Sequence, residues 1–212
     1  MRVPIVKTLA IGFALTLVSC ASSAPSARDA AGDEGIRRTC ERDKLECRRN
    51  VRIVLRRDDG TTYDKTFDWY WPKLQGDPAW LTVLPGETIH LEMDVDGNVL
   101  TPRRIVSDPR TPEKTVTFRF KQEDKIGMLL TVENPFPKPL KYDLFMLLVE
   151  DRERKPRATS SCPVLPKLSV YEQWPNAIYT LVAANFRFVE GADSTKCSID
   201  SRTPPAVGPP VN

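Results

Sequence analysis

The sequence has very little of the chemistry that most enzymes use. It holds one histidine, His90, and no Cys-x-x-Cys pair. It also lacks a glycine-rich phosphate loop, a Ser-x-x-Lys motif and a Gly-x-Ser-x-Gly motif. A lone imidazole without a placed partner meets none of the geometric requirements of a catalytic group, and structural zinc sites need clustered Cys or His ligands. The sequence therefore predicts no catalytic residue, no metal site and no cofactor.

Acidic residues are plentiful, but their spacing marks no site. Nothing singles out two of the 28 Asp and Glu residues as a glycosidase pair. The stretch Asp94-Val95-Asp96-Gly97-Asn98 is similar to the opening of a calcium loop, but its glycine is fourth, where an EF-hand needs it sixth. Asp-Gly between two alternating runs is more typical of a hairpin turn. A hydrolase is therefore kept only as the least favoured functional hypothesis.

The chain also lacks a large charge excess of either sign. Lys and Arg total 31 against 28 acidic residues, and loss of residues 1–19 would remove Arg2 and Lys7 and leave 29. A nearly neutral chain offers no electrostatic argument for binding nucleic acid. We therefore expect no nucleic-acid partner.

The amino terminus has the build of a secretory signal peptide. Arg2 and Lys7 accompany the apolar run Thr8–Val18, which is too short to span a bilayer stably as a mature helix. The run ends in Leu17-Val18-Ser19-Cys20, with a leucine three residues before the cysteine and a small residue at the cleavage position. These four residues resemble the lipobox of bacterial lipoproteins.

The resemblance implies that residues 1–19 are a signal peptide and that Cys20 carries a diacylglycerol thioether. Two or three acyl chains make a permanent anchor, because each buried CH₂ contributes roughly 0.8 kcal/mol and one chain alone holds only marginally. In this family an Asp after the lipidated Cys commonly retains the protein at the inner membrane, whereas Ala21 follows here. The resemblance thus implies the cell outer membrane, with the domain in the periplasm and exposure on the cell surface left open.

Four cysteines remain beyond Cys20: Cys40, Cys47, Cys162 and Cys197. An even number in an exported chain indicates two disulfides, for which three connectivities exist. We favour Cys40–Cys47, which closes a short local loop, together with Cys162–Cys197, which fastens the last strands.

Both ends of the mature chain are poor in the large apolar residues that a core needs. Residues 21–35 are small and polar, so they are predicted not to order, and residues 203–212 are rich in proline. We predict a lipidated cysteine and flexible tether over residues 20–38, one domain over residues 39–200 and a disordered tail over residues 201–212.

Between these ends the dominant pattern has a period of two. It is clearest in Thr88–Val95, where Ile89, Leu91, Met93 and Val95 share one face. Val51–Arg57, Thr61–Asp68 and Thr115–Lys121 alternate in the same way. Met128–Val132 is a short apolar run, and Leu140–Val149 and Ala177–Val189 are predicted as further strands. A helix over Ile178–Ala184 is the open alternative. About eight short strands separated by Gly, Pro and Asp turns predict an all-β fold, an antiparallel β-sandwich that is Ig-like in general terms.

Residues 37–57 hold nine basic and three acidic residues. Anionic headgroups attract each nearby cation by about 1 kcal/mol. One interpretation is that Arg37, Arg38, Arg48 and Arg49 contact headgroups or an acidic partner. The favoured alternative is an ordinary solvated strand face.

The densest aromatic group is FDWYWPKLQGDPAW, residues 67–80. Strict alternation would bury Phe67, Trp69 and Trp71 and expose Tyr70. Exposed aromatics mark interaction sites, so Tyr70, Trp71 and Trp80 form a candidate binding surface, with core packing as the favoured alternative.

The leading functional hypothesis is a non-enzymatic protein-binding or envelope-assembly module. The alternative is a cell-wall or polysaccharide-binding lipoprotein that uses these three aromatics.

Overall fold

The structure, a computed structural model, describes residues 27–124, 127–151, 155–201 and 203–205. The predicted signal peptide, Cys20 and the first part of the predicted tether lie outside the described residues, as does most of the predicted tail. Among the described residues, no helix combines the length and the apolar character that crossing a bilayer requires.

The described chain contains one α-helix, twelve β-strands and two short 3-10 helices. The α-helix is α1 (Ala27–Asp43), and the 3-10 helices are Pro112–Lys114 and Gly191–Ser194. The strands are β1 (Arg48–Arg56), β2 (Thr62–Tyr70), β3 (Leu74–Gln75), β4 (Trp80–Val83), β5 (Thr88–Asp96), β6 (Val99–Val106), β7 (Thr115–Glu123), β8 (Gly127–Glu133), β9 (Leu140–Leu148), β10 (Arg157–Thr159), β11 (Ser169–Trp174) and β12 (Ile178–Phe188).

Ten of these strands form one antiparallel sheet that folds over on itself. Its order is β10-β9-β12-β6-β5-β7-β8-β11, with β4 also paired to β12 and β3 to β4. Strands β12 and β6 pair only at Arg187 and Val99, so the sheet divides there into two halves. The halves face each other, because the Phe118 ring on β7 lies 5.8 Å from Tyr142 on β9 and 6.1 Å from Phe186 on β12. The predicted antiparallel β-sandwich is confirmed.

Burial follows the alternation where one sheet face is solvated. On β5, Ile89, Leu91 and Met93 are buried as predicted, whereas Val95 is exposed because it lies at the open end beside the Asp96–Asn98 turn. Strand β12 is different: every residue from 178 to 184 is buried, since both of its faces are covered. It is a strand throughout, so the helical alternative for Ile178–Ala184 is wrong.

A separate hairpin, β1–β2, packs against the start of β12 and also contacts the end of β7, where Arg56 N–H donates to Gln122 Oε1 at 2.8 Å. Its turn holds Asp58–Gly60, as predicted, and is closed where Arg57 N–H donates to the Thr61 carbonyl at 2.8 Å. The Phe67 ring stacks 6.4 Å from Tyr179, and the Tyr70 and Thr180 hydroxyls are hydrogen-bonded. The hairpin thus contacts both halves of the sandwich.

Part of the predicted tether is helical. Helix α1 begins at Ala27, and within it Arg37 pairs with Glu34 at 2.6 Å and with Glu41 at 3.0 Å, the three- and four-residue spacings that support a helix. Ile36 and Cys40 are buried, and α1 packs against β2. Residues 27–38, which the sequence analysis assigned to a tether, are thus helical in the structure, where two apolar contacts and these ion pairs support a segment of few large residues.

Candidate functional site

The three aromatics predicted as a binding surface are all buried. Tyr70, Trp71 and Trp80 are 4%, 8% and 6% exposed. Tyr70 breaks the alternation at the end of β2 because it turns inward against Thr180 and Phe67, whose ring centroid is 5.0 Å from its own. The expectation of an exposed aromatic surface here is wrong, and the favoured alternative of core packing is correct.

The four arginines predicted to contact headgroups are in different environments. Arg37 and Arg38 lie on α1 near Glu34. Arg48 is largely buried: its Nη2 donates to the Thr82 carbonyl at 2.7 Å and its Nη1 is 3.2 Å from Glu87. Burial lowers the pKa of Arg48, against the opposing charge of Glu87. Headgroup contact is wrong for Arg48 and stays a prediction for Arg37, Arg38 and Arg49.

Arg49 is an exposed residue that is held by its neighbours. Its guanidinium carbon lies 3.4 Å from the Trp69 ring centroid, and its Nε donates to the Asp68 carbonyl at 3.3 Å. A guanidinium at this distance is attracted by the negative face of the indole. Arg49 therefore shields Trp69, which is only partly buried.

The cysteine pairing agrees with the favoured connectivity. Cys40 is bonded to Cys47 and Cys162 to Cys197. The first disulfide joins the end of α1 to the segment before β1, and the second joins the chain between β10 and β11 to the segment after β12. Of the five cysteines in the sequence, Cys20 is thus the one that takes part in neither of these two disulfides.

The only histidine lies on the outer face of β5. Its Nδ1 is 3.0 Å from Thr117 Oγ1 on β7. Within the part of the chain that the structure describes, no group of three or more His, Cys, Asp or Glu side chains is placed to hold a metal ion.

A cluster of charged residues that the sequence analysis missed lies where β9 and β12 meet the C-terminal segment. We name it the Lys141 cluster; its members are Lys141 and Asp143 on β9, Arg187 on β12 and Asp200. Arg187 Nη1 is 3.0 Å from Asp143 Oδ1, and Lys141 Nζ is 3.8 Å from Asp200 Oδ2. Arg187 Nη2 contacts the same Asp200 oxygen.

Lys141 is the most deeply placed member of this cluster. Its side chain is 2% exposed, and Nζ donates to the Ser161 carbonyl and, at 3.4 Å, to the Ser198 carbonyl. Burial lowers the pKa of Lys141, while the Asp200 carboxylate opposes that shift. The ammonium is thus buried against two carbonyl oxygens and one carboxylate.

A second buried carboxylate, Glu172 on β11, lies near the cluster. Its Oε1 accepts a hydrogen bond from Cys162 N–H at 3.0 Å and from the Tyr142 hydroxyl at 3.3 Å. Burial raises the pKa of Glu172 and also that of Tyr142. Because these groups satisfy one another, the arrangement is suited to holding chain segments together, not to transferring a proton to a ligand.

The alternation of residues along β9 indicates part of this cluster in the sequence. Lys141 and Asp143 are two residues apart on a strand, so their side chains lie on one face of it. Those of Leu140, Tyr142 and Leu144 lie on the other face. That pattern is typical of a solvated face. Here the segment around Asp200, 57 or more residues later in the chain, covers it, and no local pattern indicates such a cover.

Large apolar side chains are exposed around the start of β11. Leu165, Leu168 and Tyr171 are 41%, 55% and 66% exposed, and we name them the Leu165 surface. Leu168 N–H closes the intervening turn on the Leu165 carbonyl at 3.1 Å. The amide of Asn134 donates to the Val164 carbonyl at 2.8 Å and to the Leu165 carbonyl at 3.2 Å. These side chains are thus presented on a fixed backbone.

No protein-family model matches the chain, and comparisons with curated proteins and with solved structures likewise find no match.

Proposed function

We propose that this chain is a lipid-anchored protein of the bacterial cell envelope that binds another envelope protein without catalysing a reaction. The observation that carries the anchor is the cysteine count. Four of the five cysteines are paired with one another, and the fifth is Cys20, in the lipobox-like stretch Leu17–Cys20. Two disulfides also suit a protein that folds in an oxidising compartment.

The start of α1 bears on how close the domain would lie to the membrane. Six residues, 21–26, separate Cys20 from Ala27. The seven residue steps from Cys20 to Ala27 span at most about 25 Å when fully extended, at roughly 3.3–3.6 Å per residue. An acylated Cys20 would therefore hold the amino-terminal end of α1 within that distance of the headgroups, a smaller maximum distance than a fully flexible tether over residues 20–38 would set.

The Leu165 surface supports a protein partner. Exposed apolar side chains on a rigid segment mark interaction sites, and tyrosine is among the residues that dominate binding energy at interfaces. Burial of Tyr70, Trp71 and Trp80 removes the platform that the polysaccharide hypothesis required. We therefore favour a protein partner over a carbohydrate.

Intact-mass measurement of the protein from bacterial membranes tests the anchor. The wild type should lack residues 1–19 and carry acyl mass, and should partition with membranes. Cys20→Ala should carry no acyl mass and appear in the soluble fraction, while the neighbouring Ser22→Ala should behave as the wild type. An unmodified Cys20 thiol on the wild-type chain would show that the anchor is absent.

Photo-crosslinking in intact cells tests the partner separately. A photoreactive residue in place of Tyr171 should give a discrete crosslinked species that Leu165→Ser with Leu168→Ser abolishes. The same residue in place of Glu113, exposed in the 3-10 helix before β7, serves as the control. Equal crosslinking at both positions, or none at position 171, would reject the Leu165 surface as the binding site.

A further inference from the structure

The segment after β12 docks on the sandwich much as a separate peptide would. We name residues Cys197–Asp200 the C-terminal latch. Ser198 N–H donates to the Ser161 carbonyl and Ser161 N–H donates to the Ser198 carbonyl, both at 3.1 Å, a two-bond antiparallel bridge. One residue away on each side, Cys197 is bonded to Cys162. The latch is therefore held by one covalent bond and by a strand-like pairing.

The latch inserts a carboxylate between two cations of the sandwich. Lys141 Nζ is 3.8 Å from Asp200 Oδ2, and Arg187 Nη2 contacts that same oxygen. The other carboxylate oxygen accepts from Ser198 Oγ within the latch itself. The cations belong to β9 and β12 of the sandwich, whereas the carboxylate belongs to a segment outside every strand.

The positive charges of Lys141 and Arg187 explain why these two residues would bind a carboxylate from any molecule. Arg187 also pairs with Asp143, whose second oxygen accepts from Asn185 Nδ2 at 2.7 Å. If Asp200 were removed, Lys141 would keep its carbonyl partners but lose the carboxylate 3.8 Å away, and only the weaker attraction of Glu172 and Asp143 would remain at a side chain that is 2% exposed. A buried cation without a counter-charge is strongly unfavourable.

The pKa of Asp200 agrees with its role as that counter-charge. Burial alone would raise the pKa, but the Ser198 hydrogen bond and the charges of Lys141 and Arg187 hold it below its ordinary value. The carboxylate is thus ionised at neutral pH.

We propose that Lys141 and Arg187 form a carboxylate-binding site that the latch fills from within the same chain, and that the Cys162–Cys197 disulfide controls whether it stays filled. Reduction by a dithiol turns this disulfide into two thiols while the dithiol becomes a disulfide. The latch is then held by non-covalent contacts alone, and its carboxylate exchanges with that of another molecule.

Chemical rescue by acetate tests the binding site with both disulfides intact. Asp200→Ala should lower the melting temperature by a few degrees. At neutral pH and constant ionic strength, replacing chloride with acetate should raise the melting temperature of Asp200→Ala towards the wild-type value. It should leave the wild type and the control Asp193→Ala, an exposed acid in the last 3-10 helix, unchanged. An acetate effect of equal size on all three proteins, or none on Asp200→Ala, would overturn the site.

Hydrogen exchange tests control by the disulfide. In Cys162→Ser with Cys197→Ser, the Ser198 amide should exchange at least tenfold faster than in the wild type. The Leu140 amide, which donates to the Val164 carbonyl at 3.0 Å, should keep its protection, and Cys40→Ser with Cys47→Ser should leave Ser198 protected. If Ser198 stays protected without its disulfide, or if Ser198 and Leu140 lose protection together, the latch is not an independently released element.

Discussion

The hydroxyl of Tyr70 is hydrogen-bonded to the hydroxyl of Thr180, although 110 residues separate the two in the chain. Tyr70 ends β2 of the outer hairpin, and Thr180 lies in β12 of the sandwich. Both side chains are buried, at 4% and 1% exposure. This buried polar contact therefore helps to fix the hairpin on the sandwich, together with the Arg48 hydrogen bond to the Thr82 carbonyl.

Replacing Tyr70 with Phe should test that contact. The change keeps the ring but leaves the Thr180 hydroxyl buried without this partner, which costs about 1–3 kcal/mol. The free energy of unfolding, measured with denaturant, should fall by that amount. Tyr171→Phe, at a residue that is 66% exposed, should be neutral. Adding Thr180→Val to Tyr70→Phe should restore part of the loss, because no unpaired hydroxyl remains; strict additivity of the two losses would argue against the hydrogen bond.

Two glycines with the same φ angle allow the cost of backbone strain to be measured apart from the cost of a steric clash. Gly60 and Gly127 both have φ of +81°, but a Cβ at Gly60 would meet nothing within 4 Å, whereas one at Gly127 would lie 2.4 Å from the Trp174 carbonyl oxygen. Gly60→Ala should cost roughly 1–2 kcal/mol of unfolding free energy through the left-handed torsion alone. Gly127→Ala should cost clearly more, because β8 and the end of β11 must separate. Thermal denaturation of both variants gives the comparison, and equal losses would contradict it.

Much of the fold could be predicted because one-sided burial leaves a period of two in the sequence. Strand β5 is the clearest case: Ile89, Leu91 and Met93 are buried, Thr88 is exposed and His90 is half-buried, although Glu92 is also buried. The buried aromatics could not be assigned in this way. Tyr70 is buried because its hydroxyl bonds to Thr180, 110 residues away, and its ring packs on Phe67 of its own strand. Alternation within β2 contains no information about a partner on β12.

The helix and the charged cluster were missed for a related reason. Helix α1 orders mainly through Ile36, the Cys40–Cys47 disulfide and the ion pairs of Arg37, a small set that composition cannot distinguish from a solvated tether. The face that carries Lys141 and Asp143 is polar, but it is buried because the C-terminal latch lies over it. A long-range contact reverses what the local pattern indicates at Lys141, whereas in α1 a few local contacts are enough to do so.

The two disulfides should contribute unequally to stability. Cys162 and Cys197 are 35 residues apart, and Cys40 and Cys47 are 7 apart. Since a cross-link stabilises chiefly by restricting the unfolded chain, loop lengths of this order correspond to about 4 kcal/mol for the first and about 2 kcal/mol for the second. Serine replacement of each pair, in a Cys20→Ala background that keeps the protein soluble, allows both unfolding free energies to be measured with denaturant. A larger loss from the Cys40–Cys47 pair would contradict the loop-entropy account.

The buried carboxyl of Glu172 should give stability a specific pH dependence. Burial raises its pKa above the ordinary 4.5, despite hydrogen bonds from Cys162 N–H and Tyr142. The folded chain therefore holds this proton more tightly than the unfolded chain does. The resulting stabilisation is complete below pH 4.5 and is lost as the pH rises through the raised pKa of the folded state.

Glu172→Gln isolates this effect, because glutamine resembles the protonated acid and does not ionise. Its Oε1 can still accept from Cys162 N–H and from Tyr142. Relative to the wild type, the variant should therefore become more stable between acidic and neutral pH, as measured by denaturant unfolding across that range. Glu113→Gln, an exposed acid, is the matched control and should show no such trend. A difference between Glu172→Gln and the wild type that stays constant with pH would mean that the pKa of Glu172 does not change on folding, because its hydrogen bonds and the nearby Lys141 charge balance desolvation.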